Sequence, residues 1–318
     1  MPFISNATAS AIKDAATALI NGDLIAFPTE TVYGLGADAT NKSAVNKIYL
    51  AKGRPADHPV IVHISNINLL NKWAKDIPEY AIKLARSYWP GPMTLILPRT
   101  DLAKDFITGG QNNVGLRIPN QEVALALISE FEKLGGYGIA APSANRFGAV
   151  SPTTAQAVEA ELSEYLGSND QILDAGVCEV GVESTIIDCT GPVPNILRPG
   201  AITAAMIFAA TELEPVSVNK VNIKAPGLLE SHYSPKAKVI LDQTPERGDG
   251  FIALSNIKTP QGVIRLAAPE NNEEYAKVLY QALRSADVQQ IKVVHAQLPV
   301  GNDIAVAIRD RLTKSANK

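Results

Sequence analysis

Residues 28–36 read Pro-Thr-Glu-Thr-Val-Tyr-Gly-Leu-Gly, and residues 47–63 read KIYLAKGRPADHPVIVH. The first segment closes an apolar run, Leu24 to Phe27, with hydroxyls and two glycines. The second sets Lys52 and Arg54 on a Gly-Pro loop and then enters the apolar run Val60-Ile61-Val62, ending at His63. Hydroxyls and glycines at a strand end, beside cations on a stiff loop, suit an anionic ligand that the backbone approaches closely. Neither segment matches a standard nucleotide fingerprint. GxxxxGK[ST] is absent, and Gly34-Leu35-Gly36-Ala37-Asp38-Ala39 fits GxGxxA only in letters. It stands too far from its strand, and the next helix starts too late to receive a pyrophosphate, so it reads as a loop needing glycines for its geometry.

At 318 residues the chain exceeds what one hydrophobic core usually serves, so two domains are expected. Helical spacing covers residues 10–20, a stretch from Ser43 to Gly53, 122–131, 153–166 and 205–210. Short β-branched or apolar runs mark strands at 24–27, 60–64, 93–97, 114–118, 137–141, 171–174, 184–188 and 195–197. These elements define a first domain over residues 1–208. Residues 209–237 lose periodicity and carry Pro215, Pro226, Gly227 and Pro235, which marks a linker. In residues 238–318, strands at 239–241, 251–254, 263–266 and 292–296 alternate with two helices, a small α/β unit with Rossmann-like rhythm.

The arginines sharpen the picture. The first two hundred residues hold six, and four of them (Arg54, Arg117, Arg146 and Arg198) fall at loop or strand-end motifs. In parallel-type sheets such ends gather at one edge, where ligands bind, and arginine offers a planar fork for carboxylate or phosphate. His58, His63, His232 and His295 show no metal-ligand spacing, and His295 reads as structural. Ser143 and Ser184 lack GxSxG and a recognisable His–acid pair, so they read as hydroxyl donors to a ligand. Glu30, Asp38, Glu183 and Asp188 read as loop-stabilising or solvated carboxylates. Cys178 and Cys189 fit neither a disulfide framework nor CxxC and read as small buried hydrophobes. A net charge of −3 argues against a general nucleic-acid or membrane-surface binder. Without a basic n-region or a membrane-length apolar run, the expected location is cytoplasmic.

PTETVYGLG followed by KGRP and a strand ending in histidine resembles the YrdC-like family, specifically its threonylcarbamoyl-AMP synthases. Ala141-Pro142-Ser143-Ala144-Asn145, Ser151-Pro152-Thr153, Gly181-Val182-Glu183-Ser184-Thr185 and Leu197-Arg198-Pro199-Gly200 continue the resemblance in the family's order. Pro226-Gly227 and Ser231-His232-Tyr233-Ser234-Pro235 resemble the linker of the long, two-domain form. The resemblance implies a twisted mixed sheet with helices, then a linker folding over the active site and a small α/β C-terminal domain. It implies an enzyme, a nucleotidyltransferase joining L-threonine, bicarbonate and ATP into threonylcarbamoyl-AMP with release of pyrophosphate. Mg2+ would accompany ATP, and the product would pass to tRNA threonylcarbamoyl-transferase proteins. No metal site held by the protein and no strong direct nucleic-acid binding are implied.

Carried over by motif, Thr31, His63, Arg117, Ala141 and Ser184 would meet threonine. Lys52, Arg54, His58, Asn113, Ser143, Asn145, Ser151 and Arg198 would line the ATP side, with Lys52 and Arg54 nearest the phosphates as the catalytic pair. Tyr233 would close over the nucleotide. The family more often has asparagine where His58 stands. Two other readings compete. A carbamoyl-handling factor of hydrogenase maturation would also carry an acylphosphatase-like region and zinc-finger cysteines, which a two-cysteine chain lacks. An RNA-binding module would use a local basic patch.

Overall fold

The computed structural model describes residues 3–217, 223–227 and 233–317. Ser231 and His232 of the linker motif lie outside the described residues. The first sheet contains β1 (Phe3–Asn6), β2 (Ile25–Phe27), β3 (Gly34–Asp38), β4 (Ile61–His63), β5 (Met93–Pro98), β6 (Asn113–Arg117), β7 (Ile139–Ala140), β8 (Gln171–Asp174), β9 (Thr185–Asp188) and β10 (Asn195–Arg198). Their spatial order is β1-β8-β2-β3-β7-β4-β6-β5-β9-β10. The sheet is mixed. β4 runs parallel to β6 and β5 parallel to β9, whereas β2/β3, β4/β7, β5/β6 and β9/β10 are antiparallel. Of the sheet's four parallel pairs among the described residues, these two decide where the arginine and serine motifs meet.

Three local readings change. Residues 34–38 are not a loop: they form β3, with Gly36 opposite Ile25 and Gly34 opposite Phe27. The glycines serve close packing. A Cβ at Gly36 would lie 2.7 Å from Ile139 Cγ2 and 2.8 Å from the Phe27 ring. β1 was not expected, because four residues at a chain start carry too little pattern; it pairs with β8 in parallel register. The helix expected over 153–166 is shorter, Ala155–Leu162, with a single 3-10 turn at Ser163–Tyr165.

The helix Lys42–Lys52 illustrates how local chemistry sets the site. Asn41 caps its start, accepting from the Ser43 and Ala44 amides. Gly53, left-handed at φ +61°, ends it and turns the chain into the Arg54 loop.

The second sheet contains β11 (Lys238–Leu241), β12 (Gly250–Ile252), β13 (Ile264–Ala267) and β14 (Val293–Ala296), ordered β11-β14-β12-β13 and parallel throughout. Helices Asn272–Val288 and Ala305–Ala316 complete this unit. Val32, Val150 and Val182 from the first unit pack into its core with Tyr280, Leu283 and Leu312. Of the segment between the units, the described residues 223–227 form a strap along the first sheet. Ile223 and Ala225 pack on Ile61, Ile96 and Ile186 of the first sheet, and Gln111 pairs with both backbone groups of Lys224, at 2.7 and 2.9 Å.

The units touch closely at Gly181, where a Cβ would lie 2.4 Å from the Ala276 carbonyl oxygen. Gly176 has nearly the same conformation (φ +82° against +81°) but open space around it. Gly176→Ala therefore incurs only the left-handed conformation, of order 1–3 kcal/mol. Gly181→Ala adds an interface clash, so its thermal midpoint should fall clearly below that of Gly176→Ala. Calorimetry of the two variants checks this.

Candidate active site

Parallel pairing of β4 and β6 sets His63 beside Arg117 in register. The turn after β2 supplies the next wall. Thr29 Oγ1 donates to the Val32 carbonyl at 2.7 Å and accepts from the Thr31 and Val32 amides, which fixes Thr31 toward the cleft. Glu30 of the same turn ion-pairs with Arg117 at 2.7 Å, both groups buried. Burial first, and Arg117 second, push the His63 imidazole down to about 3, so it is neutral at physiological pH.

The other wall comes from the start of β9 and the end of β10. The Ser184 hydroxyl lies 2.8 Å from that of Thr94 and accepts from Arg198 Nη2 at 3.2 Å. Arg198 also donates from Nε and Nη2 to the Ser184 carbonyl (3.1 and 3.0 Å) and from Nη1 to the Pro226 carbonyl of the strap (3.2 Å). Ser184 thus sits in a hydroxyl and guanidinium network rather than against a general base. Arg54 is buried, donates to the Pro59 carbonyl at 2.9 Å and faces the Phe147 ring at 5.8 Å. Burial lowers it to about 10, still protonated near neutrality.

One cleft gathers Thr31, His63, Arg117, Ala141 and Ser184 with Arg54, Ser143, Arg198 and Tyr233, roofed by Pro226 and Gly227. Arg54 Nε, Arg117 Nε and His63 Nδ1 are buried there without hydrogen-bond partners. Buried polar atoms of this kind are costly unless a ligand satisfies them.

The remaining candidates stand elsewhere. Lys52 does not line the cleft. Its buried ammonium donates to the Ser143 carbonyl at 2.6 Å and to the Asn145 carbonyl, pinning the 143–145 loop behind the wall. Burial and then Arg54 lower its pKa well below the ordinary lysine value. Asn145 is buried and donates to the Arg146 and Ala149 carbonyls. Ser151 donates to Glu183 at 2.6 Å. His58 is half-buried, edge-on to Phe147 at 5.4 Å. Asn113 lines a separate groove with Lys75, Arg99 and Lys104. Arg146 does not join the other three arginines. It donates to the Ala51 carbonyl and covers the Tyr165 ring at 4.1 Å, because the chain after Asn145 turns toward the helix Lys42–Lys52.

Glu183 was misread. It is not solvated: it is buried, lines the cleft, and accepts from Ser151, from Tyr280 at 2.8 Å and from Arg311 at 2.8 Å. Burial alone would raise its carboxyl, but Arg311 foremost, then Arg198 and the Ser151 hydroxyl, hold it at about 2. The signal was faint: a lone carboxylate between Val182 and Ser184. Arg311 had no signal, since one arginine on an amphipathic helix reads as surface. Both cysteines are buried free thiols. Among the described residues no group of three His, Cys, Asp or Glu could hold a metal ion, and no helix is long and apolar enough to cross a membrane.

Comparison with known proteins adds the following. The Sua5/YciO/YrdC family model, described as "Telomere recombination", matches residues 17–200, and a model described as "Threonylcarbamoyl-AMP synthase, C-terminal domain" matches residues 202–317. The chain is 38% identical to a threonylcarbamoyl-AMP synthase of Pyrococcus abyssi, covering 96% of this chain and 94% of that one. It is 39% identical to one of Bacillus subtilis, covering 96% and 92%. Its structure resembles that of P. abyssi Sua5 complexed with L-threonine, with a TM-score of 0.87 at 36% identity over 99% of this chain and 97% of that one.

The depressed His63 imidazole makes a stability prediction. The unfolded chain takes up this proton near pH 6.5, whereas the folded protein resists it to about 3. The contribution is therefore complete above pH 6.5 and is lost as pH falls toward 3, with a slope of at most about 1.4 kcal/mol per pH unit. Urea unfolding at pH 7 and pH 4 should show that loss, and His63→Gln should make it smaller.

Proposed function

The chain belongs to the Sua5/YciO/YrdC family, in the two-domain form of the threonylcarbamoyl-AMP synthases, and on that premise we propose that it condenses L-threonine, bicarbonate and ATP into threonylcarbamoyl-AMP. The observation that carries the proposal is the convergence, in one roofed cleft, of a buried arginine–histidine pair, a hydroxyl pair and two further arginines. The P. abyssi protein with bound L-threonine supports the choice of amino acid.

In this reading Arg117 holds the threonine carboxylate with its fork, releasing part of its contact with Glu30. Thr31, Ser184 and the neutral His63 meet the amine and hydroxyl, and Ala141 packs against the side chain. The amine nitrogen bonds to the carbon supplied by bicarbonate, with loss of water, giving a carbamate. A carbamate oxygen then attacks the α-phosphorus of ATP, the bond to the bridging oxygen breaks, and pyrophosphate leaves. This is nucleotidyl transfer, which runs on alignment and charge neutralisation without a protein nucleophile.

Arg54 and Arg198 face the triphosphate, which enters as its Mg2+ complex, and Ser143 donates from the loop that Lys52 pins. Lys52, Asn145 and Ser151 then act through that loop and through Glu183. We assign no direct ligand contact to His58 or Asn113. Tyr233 and the strap exclude water from the labile mixed anhydride. The product is consumed by tRNA threonylcarbamoyl-transferase proteins. An RNA-binding role would need a basic face, and the three cleft arginines are buried under the strap instead.

Pyrophosphate release from MgATP should require both threonine and bicarbonate. Arg117→Ala should raise the KM for threonine about tenfold or more, from loss of a charged hydrogen bond of roughly 1.5–3 kcal/mol. Arg54→Ala should instead act on ATP. Release in the absence of threonine would contradict the reading.

A further inference from the structure

We propose that Arg311, on the last helix of the second unit, is a positioning residue that keeps Arg198 available to the anion side of the cleft. The proposal rests on the synthase reading above. Arg311 is fully buried and does not line the cleft, but it holds two groups that do. Its Nε donates to Glu183 Oε2 at 2.8 Å, and its guanidinium lies over the Tyr233 ring at 5.2 Å. Nη1 is satisfied separately by Asp310 at 2.6 Å. The next turn of the same helix reaches the strap: Ser315 donates to the Tyr233 carbonyl and Lys314 to the Gly227 carbonyl, each at 2.8 Å.

Glu183 is bonded to Arg311 and shares the cleft lining with Arg198. Oε1 is taken by Ser151, and Oε2 by Tyr280 and Arg311. With three donors already on the carboxylate, Arg198 turns its fork to the Ser184 and Pro226 carbonyls, which are neutral dipoles that an incoming phosphate can displace. Removal of Arg311 leaves a buried carboxylate short of its main counter-charge. The next cation acting on it is Arg198, whose field already contributes to its ionisation. Arg198 is then drawn from Ser184 toward Glu183, and the cleft loses one of its anion-binding forks. Simple adhesion between the units would not need this arrangement, because apolar residues of similar volume bury as well or better than an ion pair.

The test uses the full chain, with ATP and threonine kinetics and thermal melting on each variant. Arg311→Met should remain folded, raise the KM for ATP about tenfold or more and lower kcat. Arg311→Lys should recover part of the loss. The decisive variant is the double substitution Arg311→Met with Glu183→Gln, which removes the stranded carboxylate. It should bind ATP better than Arg311→Met alone, since nothing then captures Arg198. A double variant no better than the single one, or an Arg311→Met protein with unchanged kinetics, overturns the proposal. Where Arg311→Met fails to fold, Tyr280→Phe takes its place: loss of one donor to Glu183 should raise the KM for ATP by a smaller factor, and an unchanged KM overturns the proposal. Wild-type protein that releases no pyrophosphate with all substrates present counts against the synthase reading alone. Arg311 is then judged by calorimetric ATP binding, which Arg311→Met must weaken and the double variant restore.

Discussion

A carboxylate with almost no access to water organises this molecule. Glu183 is buried at the junction of the two units, and desolvation on its own would drive it to take up a proton. It stays ionised because donors come to it from both sides: Ser151 from the first unit, Tyr280 and Arg311 from the second. No fold of the first unit alone can supply that set. One satisfied charge thus spans the junction beside an apolar interface, and the second unit also holds the strap through Lys314 and Ser315. Tyr233 occupies a left-handed conformation at φ +58° against the Tyr280 ring, a backbone state that a non-glycine residue keeps only when its surroundings impose it.

The cleft itself is a balance of repelling cations. Arg54, Arg117 and Arg198 share one buried space, and each is moderated differently. Arg117 has a full counter-charge in Glu30 at 2.7 Å. Arg198 donates to two carbonyls and the Ser184 hydroxyl and lies in the field of Glu183, whereas Arg54 has one carbonyl and the face of Phe147. In direct contacts among the described residues Arg117 is therefore the cation with a carboxylate partner, and Arg54 has none. In the proposed reading a singly charged carboxylate meets the Arg117 wall and a polyphosphate the Arg54–Arg198 side.

Most of the sheet could be read from the sequence because β-branched runs and glycine punctuation mark strands without knowledge of their partners. β3 escaped because its glycines have no side chains to show a period; only the Phe27 ring and Ile139, distant in sequence, explain why they must be small. At the site, motif order brought out the residues that end strands, namely His63, Arg117 and Arg198, since strand ends converge by topology. It could not tell a lysine facing the cleft from one facing away. Lys52 and Arg54 are two residues apart, yet Gly53 turns the chain between them, so the lysine holds a loop while the arginine faces the ligand space. Glu183 and Arg311 were illegible for another reason: a buried ion pair across 128 residues leaves no local pattern in either segment.

The neutral His63 gives the arrangement its chemical sense. An amine can form a carbamate only without its extra proton, yet a free amino acid near neutrality keeps that proton. A pocket carrying Arg117, Arg54 and Arg198 disfavours one more positive charge, and burial disfavours it further. An imidazolium would do the same but would leave no ring nitrogen able to accept a hydrogen bond. The imidazole here, held near 3, stays uncharged across the working range. In the proposed reading the burial, and second the Arg117 charge, that lower His63 act also on an ammonium bound beside it and favour loss of its proton.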